Sequence, residues 1–222
     1  MNADWPLDHQ GMWCEIVAPA AGAAPRPALF LDRDGIIVDE VEYLCEVEKV
    51  ALCPGVARMI AGANRAGIAV VVVTNQSGIA RGLYGWPAFA AVQDEIARRL
   101  EAQGARWDAV MASPFHPQGR EPWRHPDHPV RKPNPGMLLA SVEALAIDLA
   151  ASWIIGDRAT DMAAGRRAGL AGGIFVGQGY DAGEAERALA EATGGFAVLR
   201  ARDTAEACSS LPLLCGLPCD AA

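Results

Sequence analysis

Apolar positions along the chain fall into two alternating kinds of run. Ala28–Leu31, Ile68–Val73, Trp107–Ala112, Ser152–Ile155 and Gly173–Val176 are short and have almost no polar positions. Such runs are expected of strands buried on both faces of a sheet. Between them the apolar residues recur at helical spacing. Val56, Met59, Ile60 and Ala63 make one face of a helix opened by Pro54-Gly55 and ended by Gly67. Further helices are expected from Trp86 to Gln103, from Pro135-Gly136 to about Ile147, and from Thr160, as N-cap, to Ala168. Residues 182–192 and 203–209 read as two more helices around a short strand, Phe196–Leu199. Strands that alternate with helices imply an α/β fold with a Rossmann-like, doubly wound parallel sheet covered on both faces by crossovers.

Three stretches stand outside this alternation. Residues 1–26 read as an N-terminal extension in which Met12–Val17 adds a short strand, so the main domain is expected over 27–222. Residues 36–53 are irregular and acidic, with Asp39, Glu40, Glu42, Glu46 and Glu48, and read as a small β flap after the first strand. Residues 113–135 are rich in proline and histidine, and a loop of that length in a compact domain is usually functional or mobile.

Hydrophobic residues make up 51% of the 222 and charged residues 21%, the balance of a soluble globular chain. The net charge of −8 gives no general attraction to nucleic acid or to anionic membrane, so neither is an expected partner. Any phosphate must be held locally. The extension carries Asp4, Asp8 and Glu15 with no basic start or apolar core, unlike a signal peptide, and a cytoplasmic location is expected. The six cysteines form no Cys-x-x-Cys pair, and free thiols are expected, with Cys208, Cys215 and Cys219 unassigned.

Polar groups gather where the strands end. The first strand runs into Asp32-Arg33-Asp34-Gly35, and on extended backbone Asp32 and Asp34 would share one side while Arg33 points away. The second strand ends at Thr74 and the fourth at Asp157, with Asp161 one helical turn further on. Arg131-Lys132 sits in a proline-stiffened loop between them. Carboxylates, a hydroxyl and an ammonium at one sheet edge are the parts phosphoryl transfer needs: a nucleophile, charge neutralisation and a Mg²⁺ site.

Four segments in this order, Asp32–Gly35, Val73–Gly82, Arg131–Met137 and Gly156–Asp161, resemble the haloacid dehalogenase (HAD) superfamily. Within it they resemble the branch of histidinol-phosphate and heptose 1,7-bisphosphate phosphatases. The resemblance spans roughly residues 27–180 and implies a role for each matching residue. Asp32 would be the nucleophile, forming an aspartyl-phosphate, and Asp34 the general acid and base. Thr74 would bind a phosphoryl oxygen and Lys132 would neutralise the transferred group. Asp32, the Asp34 carbonyl and Asp157 would hold Mg²⁺, with Asp161 orienting them from behind. Asn75, Gln76, Ser77, Arg131 and Arg158 would meet a small phosphorylated metabolite. The spacings from Asp32 to Thr74 and from Thr74 to Lys132 leave no room for the cap domain of larger members.

The chain departs from the branch in one place. Relatives carry a structural zinc site of cysteines and a histidine before the Arg-Lys pair, where this chain has Ser113, Phe115, His128 and Val130. Zinc needs a full set of thiolate or imidazole ligands, so none is expected. Whether His116, His125 and His128 bind another metal stays open. The function implied is Mg²⁺-dependent hydrolysis of a phosphate monoester, first a heptose 1,7-bisphosphate and second histidinol phosphate. A rival is a module that accepts a phosphoryl group without turning over, which would have no need of Asp34.

Overall fold

One sheet organises the molecule. Its strands are β1 (Trp13–Ile16), β2 (Ala28–Leu31), β3 (Ala69–Asn75), β4 (Ala109–Ser113), β5 (Trp153–Gly156), β6 (Gly172–Val176) and β7 (Ala197–Ala201), in the order β1-β4-β3-β2-β5-β6-β7. This is a computed structural model, and it describes residues 5–20, 24–177, 181 and 183–215. Every neighbouring pair is parallel except β1 on β4, which is antiparallel in the register Trp13 opposite Ala112. The extension therefore supplies an edge strand.

The apolar runs have no polar face because both faces are covered. Leu29 and Leu31 of β2 point with Val70, Val72, Ile155 and Ile174 into one core layer. Helices α1 (Val56–Arg65), α2 (Ser77–Arg81), α3 (Trp86–Glu101) and α8 (Thr204–Ser210) bury side chains in that layer. Ala28 and Phe30 point the other way, with Val71, Val73, Ile154 and Phe175. That second layer is covered by α4 (Gly136–Ala140), α5 (Val142–Leu145), α6 (Ala159–Ala168) and α7 (Glu184–Leu189). Among the described residues no helix is long and apolar enough to cross a membrane.

The strand order places the site. From β2 the chain steps outward to β3 and β4, then crosses back to β5 on the other side of β2 and continues to β6 and β7. The winding reverses at β2, and the crevice at the carboxyl ends of strands around such a point is where open α/β sheets bind ligands. Asp32 and Asp157 follow the two strands that flank the reversal.

Four local expectations are corrected. Residues 36–53 form no strand; they hold isolated bridges, Asp34 with Val38 and Val38 with Leu52, and one turn of 3-10 helix, Val47–Lys49. The helix expected over 136–147 breaks at Ser141, whose hydroxyl donates to Leu138 O at 2.8 Å and competes with the helix ladder. Helix α6 starts before Thr160: Arg158 is its N-cap, and the Asp161 carboxylate accepts the Arg158 N–H at 3.0 Å. Helix α2, unforeseen, is a five-residue turn closed by Gly82.

Cys14, Cys45, Cys53 and Cys215 are free thiols, and Cys219 lies outside the described residues.

Candidate active site

The chain leaves β2 at Leu31 and turns through Gly35, whose φ of +79° suits a residue without a side chain. A Cβ there would also collide with the Asp157 carboxylate. The glycine thus lets the β5 end close on the β2 end. Asp32, 8% exposed, donates its backbone N–H to Ile155 O at 3.0 Å, and its carboxylate accepts the Arg33 N–H at 2.7 Å.

Lys132 is buried at the centre. Its ammonium lies 3.0 Å from Asp32 and 2.6 Å from Asp161 and donates to Val73 O at 2.7 Å. Its backbone is fixed by Asn75, which accepts the Lys132 N–H at 3.1 Å and donates to Lys132 O at 3.0 Å. Burial works against the ammonium, but Asp161 and Asp32 outweigh it and hold its pKa above the usual lysine value.

Carboxyl oxygens of Asp32, Asp157 and Asp161 lie within 4.8 Å of one another. Burial, Asp161 and Asp34 push Asp32 up to about 7 against the pull of Lys132. Burial, Asp32 and Asp161 push Asp157 up to about 8. Carboxylates crowded in this way, offering hard oxygen atoms, suit a small divalent cation. Asp161 already meets Lys132 with one oxygen and the Arg158 N–H with the other.

Two expected orientations differ. Arg33 does not point away: 1% exposed, it grips Asp34 through Nε and Nη2 at 2.9–3.2 Å, reaches Gln93 at 3.3 Å and lies over the Phe89 ring. Asp32 and Asp34 do share one cavity, as their i, i+2 spacing implied, but the strand ends at Leu31, so the alternation does not carry over to Arg33. Gln76, 2% exposed, has its amide bonded to Asp34 at 3.1 Å, Thr74 at 2.8 Å and Tyr84 at 2.5 Å.

These groups open into a cavity of about 610 Å³. Asp32, Asp34, Thr74, Asn75, Gln76, Ser77, Arg131, Lys132 and Arg158 all line it, whereas Asp157 and Asp161 lie behind. Lining residues outside the expected set include Arg81, Tyr84, His116 and Glu184, and the acidic segment after the first strand adds Glu40 and Glu42 to the wall. An arginine in a Gly- and Ser-rich turn, as Arg81 is, was the available signal. Arg81 Nη2 lies 3.2 Å from His116 Nε2, and Arg131 donates to Phe115 O at 2.7 Å. Burial, Arg158 and Arg81 push Arg131 down to about 10. The cavity thus carries a second group of cations besides Lys132.

At two of the positions where the family resemblance would place zinc ligands, Phe115 stacks on His128 with centroids 3.5 Å apart and planes 4° from parallel. The Nδ1 atoms of His116, His125 and His128 each accept a backbone N–H two residues on.

Fold and site define an HAD-like hydrolase, and the HAD-hydrolase-like family model matches residues 129–200. A Mesorhizobium loti crystal structure classed as an HAD-like phosphatase is 45% identical, covers 95% of this chain and 94% of its own, and superposes with a TM-score of 0.82. D-glycero-beta-D-manno-heptose-1,7-bisphosphate 7-phosphatase from Mesorhizobium japonicum is 47% identical over 90% of this chain and 88% of its own length. D,D-heptose 1,7-bisphosphate phosphatase from B. bronchiseptica, solved with magnesium and phosphate, is 29% identical over 83% and 97%, with a TM-score of 0.68. The chain belongs to the D-glycero-D-manno-heptose-1,7-bisphosphate 7-phosphatase family and is a phosphoric monoester hydrolase.

Proposed function

We propose that the protein removes the 7-phosphate of a D-glycero-D-manno-heptose 1,7-bisphosphate through an aspartyl-phosphate on Asp32. The observation that carries this reading is the second cationic group, Arg81, Arg131 and Arg158, in the same cavity as the Asp32–Lys132 pair. One phosphate has its place at Asp32, and the other meets guanidinium groups suited to it. The names and identities of the relatives support the same substrate.

Asp32 attacks phosphorus, and the sugar oxygen leaves with a proton from Asp34. Thr74 donates to a phosphoryl oxygen, and Lys132 offsets the charge that builds there. Water then attacks the aspartyl-phosphate and gives its proton to Asp34. Asp32, Asp157 and the Asp34 carbonyl are the groups that would hold Mg²⁺, with Asp161 orienting Lys132 and the Arg158 backbone. Bound there, the cation supplies further neutralisation of phosphoryl charge. Ser77, at the start of α2, and Arg158 are the remaining substrate contacts. We also propose that the chain holds no structural zinc, since an aromatic stack stands where the ligands would be.

The test is phosphate release from both anomers of the bisphosphate, histidinol phosphate, other sugar phosphates and nucleotides, with Mg²⁺ and with chelator. The bisphosphate should be the best substrate, and chelator or Asp32→Asn should abolish release. Arg81→Gln should raise KM for the bisphosphate about tenfold, the order of one charged hydrogen bond, and leave monophosphates nearly unchanged. Preference for histidinol phosphate would overturn the substrate assignment. A stable phosphoryl adduct without release would overturn hydrolysis.

A further inference from the structure

His116 and Arg81 meet in the cavity wall with protons to spare. His116 Nδ1 accepts the Gln118 backbone N–H at 3.0 Å. A backbone N–H only donates, so this bond fixes the orientation of the ring and leaves Nδ1 without a proton. The proton of the neutral imidazole is then on Nε2. Burial and the Arg131 and Arg81 guanidinium groups hold the His116 pKa below the usual histidine value, which keeps the ring neutral. Nε2 lies 3.2 Å from Arg81 Nη2, and a guanidinium has no acceptor to offer. The contact is therefore two donors side by side rather than a hydrogen bond. Arg81 Nε is buried as well and has no hydrogen-bond partner among the described residues.

The chain holds these donors together. Arg120 donates its N–H to Ala80 O at 2.6 Å, which straps the loop over 113–135 to the turn that carries Arg81. Gly119 packs so closely on Ala80 that a Cβ there would meet the alanine Cβ at 2.7 Å. Arg131 donates to Phe115 O at 2.7 Å, next to His116 in the chain. Donors kept adjacent with no acceptor between them take one from outside the chain. Water accepts from both but offsets none of the charge on Arg81 and Arg131; a phosphate does both. We propose that His116 donates its Nε2–H, beside Arg81, to the phosphate that is not cleaved, and is a specificity-determining residue for a substrate with two phosphates. This rests on the bisphosphate reading above.

Two substitutions separate the two nitrogens. In His116→Asn the side-chain oxygen still accepts the Gln118 N–H, as asparagine does in turns, but the side chain is too short to reach the place of Nε2. In His116→Gln the longer amide returns an N–H near that place and gives up the turn. With the full chain and Mg²⁺, kcat/KM is measured for the heptose bisphosphate and for p-nitrophenyl phosphate, which carries one phosphate. The ratio of the two should fall about tenfold in His116→Asn, the order of one hydrogen bond to a charged group, through KM rather than kcat. His116→Gln should restore the ratio to within about threefold of the wild type. A histidine needed only for the shape of the loop would give the reverse order, with Gln impaired and Asn sound. That order, or an unchanged ratio in His116→Asn, would overturn the proposal. So would a nitrogen NMR spectrum of the wild type with the His116 proton on Nδ1. A wild type that shows no preference for the bisphosphate over p-nitrophenyl phosphate would overturn the two-phosphate reading itself.

Discussion

Lys132 sits 2% exposed between Asp32 and Asp161, and removing its charge would leave two buried carboxylates facing each other. Lys132→Met should cost about 3 kcal/mol, the order found when one member of a buried ion pair is lost. Urea denaturation of the chelated protein checks it, and a change below about 1 kcal/mol would refute the central role given to this ammonium. A second prediction follows from the same crowding. Asp32 and Asp157 are pushed up to about 7 and about 8, above their unfolded values. A raised acid pKa makes the folded state bind more protons than the unfolded one, so the stability these two groups contribute is full below about pH 4 and is lost as pH rises from there through about 7 to 8. A divalent cation needs both groups ionised and reverses that loss. Mg²⁺ should therefore raise Tm more at pH 8.5 than at pH 5.5, and an equal or inverted shift in calorimetry would contradict the assignment of the carboxylates. At this scale the sequence is informative where a strand ends: Asp32 and Asp157 directly follow theirs, and Thr74 is the last residue but one of β3. It misplaces Arg33 and is silent on Tyr84, because their partners are set by side-chain torsions and by a turn folding back on Gly78.

Among the elements, the loop over 113–135 depends most on distant parts of the chain. Trp123 stands between Phe115 at 5.6 Å and Trp86 of α3 at 6.3 Å, and Trp86 in turn meets Trp13 of β1 at 5.4 Å. Arg131 hangs on Phe115 O, so this aromatic chain links the edge strand and α3 to the second cationic group. Trp123→Ala should cost about 2 kcal/mol, below the usual loss for a fully buried tryptophan because Trp123 is half-buried. It should raise KM for the bisphosphate while leaving kcat for p-nitrophenyl phosphate within about twofold, since Asp32 and Asp157 directly follow sheet strands and Lys132, though in the same loop, is tied to β3 through Val73 O and Asn75. Equal loss on both substrates would break the link between loop and second phosphate. The strands and long helices were legible from period alone, and β1 from the short run Met12–Val17. The loop was legible only as a loop, because Phe115, Trp123 and Trp86 show no periodicity that would pair them. The break at Ser141 and the brief α2 were hidden for a related reason: each is decided by one or two local hydrogen bonds that an apolar pattern does not record.

Over the whole molecule, two fields act on an incoming anion. The net charge of −8 repels it, while Arg81, Arg131, Arg158 and Lys132 attract it into one cavity. Screening decides which is felt, because at physiological ionic strength charges more than about 8 Å apart in solvent are largely masked. Most carboxylates are spread over the surface and are masked first; the cavity cations, which share the wall with Glu40, Glu42 and Glu184, act on a bound phosphate at contact distance. The local field should therefore govern association. Raising ionic strength from about 0.05 to 0.5 M should lower kcat/KM for the bisphosphate, and more steeply than for a monophosphate, which carries fewer charges into the same cavity. Arg81→Gln should flatten the slope for the bisphosphate alone. If kcat/KM instead rises with salt, the global repulsion is in control and the second cationic group is not meeting a second phosphate. The sequence gives the sign and size of the global term by counting. The local term required the fold, since Arg81 on α2, Arg131 in the loop and Arg158 at the start of α6 come together only through the strand order around β2.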